Sequence, residues 1–80
     1  MTLEERTEYG LSRSDQLMKS LGYLLGDLGH AQTLASKGAD AKKSFEQAVV
    51  VWEALLKSQP QSEEAEEALT WCRQRLKEIQ

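Results

Sequence analysis

Residues 41–60 read AKKSFEQAVVVWEALLKSQP, and their pattern decides the architecture of the chain. Ala41, Phe45, Ala48, Trp52 and Leu55 recur at steps of four and three, which places them on one face of an α-helix. Val49, Val51 and Leu56 widen that face, and a helix apolar over so much of its circumference is covered on more than one side. The stretch is therefore expected to be the middle helix of a small bundle. Asp40 is the expected N-cap, and Ser58-Gln59-Pro60 closes the helix because a proline cannot continue the hydrogen-bond ladder.

Upstream, Leu17, Leu21, Leu24, Leu28, Ala31 and Ala35 form a second helical seam, with Met18 and Leu25 beside it and Ser14 or Asp15 as cap. Gly22, Gly26 and Gly29 interrupt this pattern, each costing about 1 kcal/mol relative to Ala. Two readings stay open here: Gly22 and Gly26 lie on one side and admit a closely packed helix, or a loop begins near Gly26–Gly29. Lys37 and Gly38 supply a C-terminal cation and a residue free to adopt the left-handed cap. Before the seam, Thr2 and Glu5 have capping-box spacing, but Gly10 and the polar cluster from Ser12 to Asp15 weaken a helix there. Residues 1–14 are expected to be a weakly packed segment with a turn or short helix near 3–10.

Downstream, Ser62 caps a third helix whose acids Glu63, Glu64, Glu66 and Glu67 stand at its start and whose Arg73, Arg75 and Lys77 stand at its end, each set matched to the helix dipole. Ala65, Leu69, Cys72, Leu76 and Ile79 make a single apolar stripe, as suits an outer, solvating helix. The expected fold is all-α: a single domain over 1–80, a small antiparallel bundle of three helices near 15–36, 40–59 and 62–79, with a fourth if residues 3–10 add one. Leu21, Leu24, Leu28, Phe45, Ala48, Trp52, Leu55, Leu69, Cys72 and Leu76 are the expected core.

Composition narrows the function. Thirteen acids against ten bases give a net charge of −3, spread along the chain, so there is no basic field for nucleic acid or an anionic membrane. No apolar run is long enough to span a bilayer and the first residues do not resemble a signal peptide, so a soluble cytoplasmic protein is expected. The one cysteine excludes an internal disulfide and fits a reducing compartment.

Two fragments resemble the tetratricopeptide repeat. Ala48, Trp52, Leu55 and Pro60 keep the intervals of that family's second helix, and Met18, Leu21, Gly22 and Leu25 are similar to its first. The resemblance implies a helical hairpin that binds a partner segment. The arms here are longer by about two turns each, and a symmetric hairpin sets Gly22 opposite Ala48 about residue 35. A second resemblance, carried by EEALTWCRQRLKEI, is to the microtubule-interacting and trafficking domain, a three-helix bundle that binds a partner helix.

No residue set points to catalysis. His30 lacks converging ligands, Cys72 lies on an apolar stripe without a base, and the paired glutamates are explained by a solvated helix start. Ser20-Leu21 follows Lys19 inside a helical seam, where a carrier protein has Asp before a prosthetic-arm serine at a helix start. An enzyme, a cofactor and a metal are not expected. The expected function is a protein-interaction module, adaptor or small chaperone; the alternative is a structural protein that associates with itself as a homodimer. Leu3, Tyr9, Leu11, Val50 and Trp71 are the candidate contact residues. Because a middle helix over 40–59 runs beside about twenty residues of the first, Met1–Asp15 is expected to lie outside the hairpin, folding back as a short helix or docking as an arm on a second copy.

Overall fold

The structure, a computed structural model, describes residues 13–79. They form three α-helices with no strand among the described residues: α1 (Arg13–Leu34), α2 (Gly38–Ser58) and α3 (Glu63–Ile79). The all-α antiparallel bundle is thus the observed architecture. α2 is the middle helix, packed along both neighbours, while α1 and α3 barely touch. Its face reads as its spacing predicts: Ala41, Phe45, Ala48, Trp52 and Leu55 are all buried. From α3, Ala65, Leu69 and Cys72 join them, whereas Leu76 is only half-buried at the edge of the core.

α1 turns the other way from its leucine seam. Leu17, Leu21, Leu24, Leu28 and Leu34 are 46–75% exposed, and the buried residues of the helix are Gly22, Gly26 and Gly29. All three glycines are helical, so the reading as a loop does not hold and the close-packing one does. The physical reason is the size of what α2 presents. A Cβ built on Gly22 lies 2.6 Å from the Trp52 indole, and one on Gly29 lies 2.9 Å from the Phe45 ring. Two large rings fill the space between the helices, and only a bare backbone fits against them.

The hairpin register follows from the same contacts. Gly22 faces Trp52, Gly29 faces Phe45, and Asp15 accepts a hydrogen bond from Gln59 Nε2 at 3.0 Å. Each pair is equidistant from Lys37, and successive pairs are seven residues apart on both arms. A seven-residue repeat keeps one seam in contact along two gently coiled helices. Gly22 therefore lies opposite Trp52, not Ala48, and the centre of symmetry is residue 37. Asp15 also accepts a bond from Ser58 Oγ at 3.2 Å, which carries the hairpin back past Leu17 and places Ser14 and Asp15 within α1, not at its cap. Residues 1–12, including the expected helix near 3–10 and its contact candidates, lie outside the described residues.

The turn also differs from its expected form. Ser36, at φ 62°, is the left-handed residue, and the Lys37 N–H donates to Gln32 O at 2.8 Å while the Ser36 N–H donates to Thr33 O at 3.1 Å. This is the paired capping pattern that satisfies the last carbonyls of a helix. Gly38 opens α2, whose Asp40 sits in the first turn without acting as the N-cap. Glycine at position 36 relieves the strain of a side chain at positive φ but adds chain entropy to the unfolded state. Ser36→Gly should accordingly raise stability by about 0.5–1 kcal/mol, read as a melting temperature a few degrees higher; an unchanged or lower value would remove the left-handed turn from position 36. Ser62, by contrast, caps α3 as expected: its Oγ accepts the Ala65 N–H at 3.2 Å.

Candidate functional site

Because α1 and α3 both pack on α2 and meet each other mainly through side chains, a groove runs between them with α2 as its floor. Its central part has a volume of about 200 Å³ and is lined by Gly22, Tyr23, Gly26 and Asp27 of α1, Trp52 of α2, and Ala68, Trp71 and Cys72 of α3. The α1 wall is low because two of its residues are glycines, and on the α3 side Ala68 is small. A Cβ at Gly26 would stand 3.4 Å from the Trp71 ring, an ordinary contact, so Gly26 lets Trp71 approach α1 closely without requiring a bare backbone.

Aromatic side chains give the groove its shape. Trp52, 1% exposed, meets Tyr23 edge to face at 4.9 Å, and Trp71, 39% exposed, meets Phe45 in the same way at 5.6 Å. The Arg75 guanidinium lies 5.6 Å from the centre of the Trp71 ring, which it covers from the far side. Phe45 and Arg75, the two neighbours of Trp71, in turn line an upper recess with His30 and Ile79. Arg75 bonds Glu78 at 3.0 Å, yet its buried Nε has no partner among the described residues.

At the lower end one cluster ties the outer helices together. The Lys19 ammonium and the Tyr23 hydroxyl, the latter at 2.6 Å, both donate to the Glu64 carboxylate. The bond to Glu64, with partial burial and the nearby charge of Glu67, pushes the Tyr23 phenol up to about 12. Lys19 first and then Tyr23 hold the Glu64 carboxyl below the ordinary carboxylate range. A carboxylate with a depressed folded-state value contributes above its ordinary range, and that contribution fades as pH falls through the folded value. The clamp is partly solvent-exposed, so its contribution to stability is small.

Burial pushes the Cys72 thiol up, leaving it a small apolar wall residue. Among the described residues, no group of three or more His, Cys, Asp or Glu converges as a metal site, and no helix is long and apolar enough to cross a membrane. The Asp27 carboxylate has no hydrogen bond or ion pair among the described residues. It is the one acid in the lining of the central groove, with Glu67 and the Lys19-paired Glu64 close to Tyr23, while Arg75 and His30 line the upper recess.

Of the contact candidates read from the sequence, Trp71 lines this groove. Val50 is exposed on α2 and lines no part of it. Leu3, Tyr9 and Leu11 lie outside the described residues. Gly22, Tyr23, Gly26, Asp27 and Ala68 line it too without being among those candidates, and the spacing of the glycines beside an aromatic-rich middle helix is the sequence signal for the α1 wall. No protein-family model, curated protein or solved structure matches this chain.

Proposed function

We propose that this chain is a non-enzymatic interaction module, an adaptor or small chaperone that holds a short segment of a partner protein in the groove between α1 and α3. The observation that carries the reading is the groove of about 200 Å³ between α1 and α3, with the partly exposed Trp71 in its wall. At about 200 Å³ the groove is smaller than the 300–1,000 Å³ typical of small-molecule sites, and it suits one apolar side chain of a peptide. Asp27 and Glu67 favour a basic neighbour to that anchor, and Arg75 favours an acidic or carboxylate group further along. The tetratricopeptide-like reading belongs to this proposal. It is supported by the antiparallel hairpin, by a small residue of the first helix packed on an aromatic of the second, and by the proline that follows.

Selection of a displayed peptide library on the purified protein tests this. Recovered peptides should share one Leu, Met, Ile or Phe next to Lys or Arg. Filling the space with Gly26→Leu should weaken their binding by roughly tenfold or more, while Val50→Glu should leave it unchanged. Peptides that bind the Gly26→Leu protein equally well would move the contact elsewhere. Circular dichroism of both variants guards against misfolding as the cause.

A further inference from the structure

The outward face of α1 is a second surface, independent of the groove. Leu17, Leu21, Leu24, Leu28 and Ala31, with Ala35 on the closing turn, follow strict alternation of four and three. That is the core spacing of a two-stranded coiled coil. Nothing among the described residues covers it: the four leucines are 46–64% exposed, and the rest of the bundle lies against the glycine face, about 140° round the helix. We propose that this stripe is the interface of a homodimer, in which α1 of one copy packs along α1 of a second copy about a two-fold axis.

Three observations favour a second copy over another occupant. The first is self-complementarity, since knobs and holes of a regular seam have the same spacing and two identical seams interdigitate. The second is charge. Helical seams that select a different partner do so through charges on their flanks. Here the flanking residues are Met18, Leu25 and Gln32 on one side and Ser20, Asp27 and Leu34 on the other, with Asp27 the one charge. No array of like charges repels a second copy. The third is area. Five leucines exposed to this degree, Leu34 included, put on the order of 500 Å² of apolar surface on one helix face, near the upper end of what soluble monomers carry. That is over half of the roughly 800 Å² per partner that a standard interface buries. The helix is already ordered by α2, so pairing carries little of the ordering cost that a free peptide would bear.

Sedimentation velocity of the full chain over a concentration series, beside the double variant Leu24→Glu/Leu28→Glu and the single variant Val50→Glu, tests the proposal. The expected result is a dimer whose dissociation constant rises by roughly thirtyfold or more in the leucine variant and stays unchanged in Val50→Glu, with helicity retained in both. A chain that is monomeric up to about 1 mM overturns it, whether the stripe is then covered by residues 1–12 or by a different protein. So does a dimer that withstands the two glutamates, including one that dissociates only when residues 1–12 are removed. Peptide binding in the groove is read separately, so either surface can fail while the other stands.

Discussion

Replacing Trp52 by alanine should destabilise the fold by about 3–5 kcal/mol, the range for removing a large aromatic from a packed core. Trp52 is 1% exposed, closes on the bare backbone at Gly22, meets Tyr23 edge to face and forms the floor of the groove, so its loss leaves a cavity that touches all three helices. The helices around it cannot collapse inward easily, because the same hairpin is held at Gly29 by Phe45 and at Asp15 by Gln59. A chain of this length has roughly 4–12 kcal/mol in total. The variant should therefore melt near or below ambient temperature and unfold at a much lower urea concentration, as followed by circular dichroism at 222 nm. A loss under about 1 kcal/mol would mean that Trp52 is not the keystone between α1 and α3.

The contrast between α2 and α1 explains how much of the molecule its sequence makes legible. On α2 the large apolar residues and the inward face coincide, so periodicity reads the helix, its role and its buried residues directly. α3 is read almost as well, its Ser62 cap and the Ala65, Leu69 and Cys72 stripe included. On α1 the same rule points to the wrong face. Hydrophobic patterning assumes that the most apolar face is the buried one, whereas here the bulk needed at the interface is supplied by Trp52 and Phe45 of α2, and α1 answers with glycine. The signal was present, because Gly22, Gly26 and Gly29 keep the same steps of four and three as the leucines, but side-chain hydropathy gives a glycine little weight. The turn was displaced for a related reason. Gly38 satisfies the preference for a left-handed residue, yet the carbonyls of Gln32 and Thr33 select Ser36 and Lys37 as their donors. As for the groove, Trp71 reads as a partly exposed aromatic with Ala68 one turn before it, while Tyr23 and Asp27 come to line the same groove only through the packing of α1 beside α3, which no local pattern encodes.

The three helical glycines supply a test whose sign depends on which face of α1 is inward. Were the glycine face in solvent, alanine at any of them would stabilise the helix by about 1 kcal/mol through propensity alone. Packed as observed, Gly22→Ala drives a Cβ to 2.6 Å from an indole that is buried and meets Tyr23 edge to face, so the ring has to shift within the core. Overpacking of this kind costs about 1–3 kcal/mol, so after the propensity gain the variant should be less stable by about 1–2 kcal/mol. Gly29→Ala, whose Cβ would lie 2.9 Å from Phe45, should fall in the same direction, and Gly26→Ala, at 3.4 Å from Trp71, should be neutral or stabilised by up to about 1 kcal/mol. The decisive member of the series is the double variant. In the absence of the indole the clash at position 22 disappears, so Gly22→Ala should become stabilising when made on top of Trp52→Ala, a reversal that only direct contact between the two positions produces. Urea midpoints at constant m value measure all of these; equal stabilisation at positions 22, 26 and 29 would turn the leucine face of α1 inward and undo the packing described for the hairpin.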